Sequence, residues 1–283
     1  MNTHPIYKID KILRVKGKVI DLAEPKVMGI MNVTPDSFYD GGRFTGEAAI
    51  LKQVERMLSE GATFIDIGGY SSRPNAIDIN EEEELNRVLP ALEAVVKYFP
   101  ESIIAIDTFR SLIAKRSVEA GASIINDISG GSVDKNMYSV VAALQVPYIM
   151  MHMQGTPQTM ASQTNYENLL KEIIDYFHQK IHALQLLGVK DIIIDPGFGF
   201  AKTVEQNFEL LQKLNYLDIL EKPILVGLSR KSTIWKTLSI KPEEALNGTT
   251  ALNTIALLKG ASILRVHDVK EAVEVVQLIK ALG

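Results

Sequence analysis

The sequence predicts a single (β/α)8 barrel, and three observations carry that expectation. Eight short apolar runs, most of them β-branched, alternate with amphipathic stretches along 283 residues. That order builds a parallel sheet wrapped in helices. The runs are apolar almost throughout, as suits strands covered on both faces. Four share one junction, a helix end, then a glycine, then the strand, in EGATFIDIGG, AGASIINDIS, LGVKDIIIDPG and KGASILRVHD. Gly61, Gly121, Gly188 and Gly260 stand where a helix closes in a left-handed residue. A doubly wound open sheet is the runner-up architecture.

In chain order, Ile12–Leu22 alternates apolar and polar residues about Gly17-Lys18, which predicts a β-hairpin. It precedes the first barrel strand and is expected to plug the N-terminal mouth. Residues 1–24 are assigned to this hairpin and 25–283 to the barrel. The predicted strands are Val27–Val33, Thr63–Gly69, Ser102–Asp107, Ser123–Ile128, Pro147–Met153, Asp191–Asp195, Pro223–Ser229 and Ser262–Asp268. Helices are expected over Gly46–Glu60, Glu82–Phe99, Ser111–Ala120, Tyr166–Leu187 and Val204–Leu220. Asn80 ahead of Glu81–Glu84 is a good N-cap, and the carboxylates complement the helix dipole. The polar loops Thr34–Gly46 and Tyr70–Asn80 exceed an average βα turn and read as lids over the mouth. No linker or low-complexity tract marks a second domain.

Composition narrows the function. Thirty Lys+Arg against 34 Asp+Glu leave a net charge of −4, which argues against a broad nucleic-acid footprint. The absence of cysteine excludes disulfides, thiolate zinc sites and a cysteine nucleophile. No stretch approaches the roughly 18 apolar residues of a membrane span, and the first residues carry no apolar leader core. A cytoplasmic protein without nucleic-acid or membrane partners is expected.

Polar residues gather at the C-terminal strand ends, the rim that holds barrel active sites. The first strand ends in Asn32, the second leads to Ser72-Arg73, and the third ends in Asp107. The fourth delivers Asn126 and Asp127, the fifth His152, and the sixth Asp195. The seventh leads into Ser229-Arg230-Lys231-Ser232, and the eighth carries Arg265 and His267. Cations thus concentrate after strands seven and eight, where barrels commonly bind phosphate. Asp107 and Asp195 suit the amidine-like edge of a flat heterocycle, and Asn126 offers a donor and an acceptor to the same ring. A planar polar ring bearing an anion is the expected ligand. His178 and His182 stand four apart without the Glu of a zinc helix, and Gly197-Phe198-Gly199 lacks the Lys of a phosphate loop.

These residues bring a family into view. MGIMNVTPDSFYDGG, DIGGYSSRPNA, IDTF, IINDISGG, MMHMQGTPQTM, IDPGFGFAK, LVGLSRKS and ILRVHDVKEAVE occur in the order and spacing of dihydropteroate synthases, which the chain resembles from Val27 to Val276. The resemblance implies a barrel joining 6-hydroxymethyl-7,8-dihydropterin diphosphate to 4-aminobenzoate, releasing 7,8-dihydropteroate and pyrophosphate in folate synthesis. It implies Mg²⁺ at Asn32, pterin contacts from Asp107, Asn126, Asp195 and Lys231, and diphosphate contacts from Asn32, Ser72, Arg265 and His267. Arg73, Pro74, Phe200, Lys231 and Ser232 then line the 4-aminobenzoate side, with Asp36 and Phe38 helping from the first loop. Asp107, Lys231, Arg265 and His267 form the implied catalytic set, acting in an SN1-like step, and a homodimer is implied. Similar proteins often carry Glu-Ser-Thr-Arg-Pro-Gly where this chain has Tyr70 to Asn75, so a carboxylate is replaced by Tyr70, and Ser72 loses a methyl. The alternatives are a methyltetrahydrofolate-dependent methyltransferase, which needs no diphosphate grip, and an inactive homologue acting as a binding partner, which predicts missing site residues.

Overall fold

A computed structural model describes residues 11–33, 43–71 and 78–282. It opens with the expected hairpin, β1 (Ile12–Val15) antiparallel to β2 (Lys18–Asp21). The turn falls on Lys16-Gly17, one residue earlier than the sequence implied. Both have positive φ, 49° and 70°, the twist that fits a two-residue hairpin.

Eight parallel strands follow: β3 (Lys26–Asn32), β4 (Phe64–Gly68), β5 (Ile103–Asp107), β6 (Ile124–Asp127), β7 (Tyr148–Met151), β8 (Ile192–Asp195), β9 (Leu225–Val226) and β10 (Ile263–Val266). Their order is 8-7-6-5-4-3-10-9. The ends meet at a parallel bridge between Ile194 and Ile224, where the Ile194 N–H donates to the Pro223 carbonyl at 3.0 Å. The sheet is therefore a near-closed barrel.

The helices are α1 (Arg43–Ser59), α2 (Glu81–Tyr98), α3 (Ser111–Glu119), α4 (Met137–Leu144), α5 (Leu169–Leu186), α6 (Val204–Gln212), α7 (Ser232–Leu238), α8 (Leu246–Leu258) and α9 (Val269–Leu282). Asn80 caps α2 by accepting the Glu83 N–H. The predicted helix Val204–Leu220 divides: α6 stops at Gln212 and a 3₁₀ stretch runs over Leu214–Leu220. Leu214, Leu217 and Leu220 are buried at intervals of three, which matches the three-residue turn of a 3₁₀ helix better than an α-helical face. Among the described residues no helix is long and apolar enough to cross a membrane.

Strand residues alternate between two cores. Residues such as Ile65, Ile67, Ile104 and Ile106 face outward and join the core under the helices. Met28, Phe64, Ile103, Ile124, Ile149, Ile193, Leu225 and Ile263 fill the lower lumen. Leu13, Val15 and Leu22 of the hairpin segment belong to that same cluster and seal its base.

Candidate active site

One step up each strand, the inward row turns polar. Asn32 pairs in register with Gly68, Gly68 with Asp107, and Asp107 with Asn126. A Cβ on Gly68 would lie 3.2 Å from the Cβ of Asp107, so the missing side chain gives the carboxylate its room.

Asp66, two residues before Gly68 and so on the same strand face, is fully buried at the centre of this row. Its Oδ2 accepts the Asn126 amide at 3.0 Å and Arg265 Nε at 2.6 Å. Arg265 Nη2 donates to Asp107 Oδ2, also at 2.6 Å. Burial raises the Asp107 carboxyl to about 7, against the pull of Arg265 and with a further push from Asp66.

Asp195 accepts the Gly197 N–H at 2.8 Å. Burial raises its pKa, opposed by the nearby Lys231. Burial brings the Lys231 ammonium down to about 8, opposed by Asp195. Lys231 Nζ donates to the Phe198 carbonyl at 2.5 Å and lies 4.6 Å from the centre of the Phe200 ring. Its contacts depend on the turn 196–201, where Gly197 and Gly199 have positive φ. A Cβ on Gly197 would lie 2.0 Å from the His152 carbonyl oxygen, so this close approach requires glycine.

That turn is fastened from behind by Lys202, a buried ammonium within 3.0 Å of His152 Nδ1. It also donates to the Gly197 and Phe200 carbonyls at 3.1 Å each. Burial, with a smaller push from Lys202, holds His152 well below its usual pKa, and burial likewise brings Lys202 down to about 7. Past the β8–β9 joint, His267 Nδ1 lies 3.1 Å from Ser229 Oγ. Ser232 is the first residue of α7.

Beside Phe200 lies an apolar shelf made by Phe109, Ile128, Met151, Met153, Met160 and Ala201, with Tyr70 packed against it. The Tyr70 ring meets Phe109 edge-on at 5.0 Å, and its hydroxyl accepts the Gln158 amide at 2.8 Å. The residue that departs from the related pattern thus joins the loop after β4 to the loop after β7.

The structure brings together Asp107, Asn126 and Arg265 by direct or shared hydrogen bonds, and groups Asp195, Lys231 and Phe200 beside them. It turns two other candidates away. Asp127 accepts the Tyr148 hydroxyl at 2.7 Å and the Ser129 and Gly131 N–H groups, so it fastens a turn outside the lumen. Arg230 forms a two-pronged pair with Asp268 at 2.9 and 2.7 Å. The cations left at the mouth are therefore Lys231 and Arg265, with the His267 imidazole beside them. Asp36, Phe38, Ser72, Arg73, Pro74 and Asn75 lie outside the described residues. The glycine–strand junctions place Asp66 among the polar residues at the strand ends without giving it a substrate or partner, and the sequence gives no role to Lys202. The junction EGATFIDIGG carries the signal for Asp66; the Lys202 role has no local signature.

Comparison with known proteins matches residues 28–267 to a family described as pterin binding enzyme. The dihydropteroate synthase of Escherichia coli strain K12 is 41% identical over 271 residues, covering 95% of this chain and 95% of its own. A Yersinia pestis dihydropteroate synthase, solved as a sulfonamide drug complex, superposes with a TM-score of 0.89 at 41% identity, covering 96% and 98% of the two chains. A Xanthomonas albilineans dihydropteroate synthase with 4-aminobenzoic acid also gives 0.89, at 37% identity over 96% and 98%.

Proposed function

Since the chain belongs to the pterin-binding enzymes, and among them to the dihydropteroate synthases, we propose that its barrel mouth condenses 6-hydroxymethyl-7,8-dihydropterin diphosphate with 4-aminobenzoate. The products are 7,8-dihydropteroate and pyrophosphate, so the enzyme is a transferase of folate synthesis. The observation that carries this reading is the row of Asp107, Asn126 and Asp195 at the ends of β5, β6 and β8, beside Arg265 and Lys231.

In this reading Asp107 and Asp195 accept the N–H groups of the pterin's amidine edge, and Asn126 supplies its amide to the same ring. Lys231 donates to ring acceptors from its place over Phe200. Arg265 and His267 hold the diphosphate. The bond from the pterin methylene to the diphosphate oxygen breaks first, and its electron pair leaves with the oxygen. Ring nitrogen delocalises the resulting cation. Buried carboxylates at 66, 107 and 195 favour that electron-poor ring. The arylamine nitrogen then bonds to the methylene and gives up a proton, so no strong base is required.

Mg²⁺ fits the donors present. Asn32 offers one neutral amide oxygen at the end of β3, and among the described residues no group of three acidic or imidazole ligands stands together. Such a site suits an ion that keeps its waters and takes its remaining oxygens from a phosphate. When bound it supplies positive charge to the leaving group.

Ser72 contributes to the diphosphate side, and Arg73, Pro74 and Ser232 to the 4-aminobenzoate side next to Phe200. The chain acts as one barrel unit, in the cytoplasm, as a homodimer. Support for a second copy comes from Leu258, Leu278 and Leu282, exposed on α8 and α9.

The test is pyrophosphate release by the purified protein with both substrates, with each omitted, and with Mg²⁺ chelated. Release is expected only with both substrates and the metal, after slow hydrolysis is subtracted. Release that ignores 4-aminobenzoate overturns the reading.

A further inference from the structure

Asp66 is fully buried, yet only one of its oxygens is engaged. Oδ2 accepts both Asn126 Nδ2 and Arg265 Nε, while Oδ1 is buried with no partner among the described residues. A carboxylate in such a place is unfavourable unless its charge has work elsewhere. Its two partners are Asn126, a proposed pterin contact, and Arg265, a proposed diphosphate contact that is itself bonded to the pterin residue Asp107.

An amide presents nearly the same shape at either end, so its neighbour decides which end faces a ligand. An ionised carboxylate only accepts. Asp66 therefore compels Asn126 to turn its NH₂ inward, leaving the Asn126 oxygen and the second N–H for an incoming ring. The same oxygen pins Arg265 through Nε, which sets the guanidinium plane so that Nη2 reaches Asp107 at 2.6 Å. Asp66 stands 60 residues from Asn126 and 199 from Arg265 in the chain, and it joins them at one atom.

We propose that Asp66 is a positioning residue for the heterocycle. It touches no substrate; through Asn126 and Arg265 it fixes the donor and acceptor pattern that the pterin ring meets. The proposal rests on the pterin reading given above. It separates the two substrates, because Asp66 is bonded to residues that hold the pterin diphosphate and has no bond to Phe200 on the 4-aminobenzoate side.

The experiment titrates 6-hydroxymethylpterin, which lacks the diphosphate, into wild type, Asp66→Asn, Asn126→Ala and the double variant, following pterin fluorescence. Steady-state KM for 4-aminobenzoate and the melting temperature are measured alongside. Asp66→Asn is expected to weaken pterin binding tenfold or more while KM for 4-aminobenzoate stays within twofold. The double variant is expected to lose less than the product of the two single losses, because part of the Asp66 effect passes through Asn126 and the rest through Arg265. Pterin affinity unchanged in Asp66→Asn, or losses that multiply in the double variant, overturn the proposal.

Should Asp66→Asn fold poorly, the pair Asp66→Asn with Asn126→Asp carries the test, since it exchanges the ends of the hydrogen bond. It is expected to regain the wild-type melting temperature without regaining pterin binding; recovery of both overturns the proposal. A wild type that binds no pterin and forms no dihydropteroate refutes the reading of the site itself. An active wild type with an indifferent Asp66→Asn refutes only the role of Asp66.

Discussion

Gly68→Ala is the most direct probe of how closely the mouth is built. The added Cβ would meet the Asp107 Cβ at 3.2 Å and its carboxylate at 3.6 Å. Carbon atoms in contact settle at about 3.5–4.0 Å, so Asp107 must move by roughly half an ångström. The backbone itself accepts alanine, because Gly68 is not among the positive-φ glycines. Crowding of this kind costs about 1–3 kcal/mol, and a stiffer unfolded chain offsets about 0.4–1 of it, leaving a net loss near 1 kcal/mol. Catalysis responds more sharply. Asp107 is held to Arg265 at 2.6 Å, and a misplacement of about 1 Å at a reacting centre can cost roughly a hundredfold. Half that shift predicts a loss of about tenfold in kcat/KM. Urea denaturation measures the first quantity and pyrophosphate release with both substrates the second. A kcat/KM within twofold of wild type would refute the argument that Gly68 exists to admit Asp107.

Other predictions follow from the same ring. Burial places the Asp107 carboxyl at about 7, and the amidine edge needs it ionised, so pterin affinity should climb as pH rises towards about 7 and level off above it. Asp107→Asn should abolish that dependence, and a variant with an unchanged pH profile would remove Asp107 from the pterin site. A carboxyl raised on folding binds its proton more tightly in the native state, so its contribution to stability is fully present below its unfolded value and is lost as pH rises through about 7. Arg265→Lys leaves a single ammonium where a planar fork bridges Asp66 and Asp107. One carboxylate is then left unpaired at a cost of about 3 kcal/mol in urea denaturation, and a loss below about 1 kcal/mol would count against the bridge. Tyr70→Phe keeps the edge contact with Phe109 and removes the acceptor for Gln158. This exposed bond is worth no more than about 1 kcal/mol, so the melting temperature should barely move, while KM for 4-aminobenzoate rises and KM for the pterin substrate does not.

The barrel was readable because its signals are local and repeated. The four glycine junctions have φ of 99°, 112°, 81° and 98° at Gly61, Gly121, Gly188 and Gly260, as a left-handed helix end requires. The apolar runs named all eight strands for a similar reason. The site was readable as a set of residues but not as a set of partnerships. Arg265 could be placed at a strand end from sequence; its grip on two carboxylates, 158 and 199 residues away, could not. Arg230 and Lys231 are adjacent and equally charged, yet Arg230 is committed to Asp268 while Lys231 faces Phe198 and Phe200. Arg230 also has a positive φ of 54°, a local turn that adjacency and charge do not reveal. The break after Gln212 escaped notice because leucines spaced by three also satisfy a loose helical pattern.

The meeting of β8 and β9 has a consequence for the occupied enzyme. The described residues join these strands by the Ile194–Ile224 bridge and the hydrogen bond to Pro223, a thinner seam than the two register pairs of β9 with β10 and the four of β7 with β8. Asp195 ends one bank of that seam and Lys231 follows the other, and the Lys231 bond to Phe198 already crosses it. In the proposed reading, a heterocycle bonded to Asp195 and Lys231 would span both banks. A ligand that binds only the closed barrel should stabilise this joint by mass action, which slower exchange of the Ile194 amide in the filled protein than in the empty one would show and equal exchange would refute.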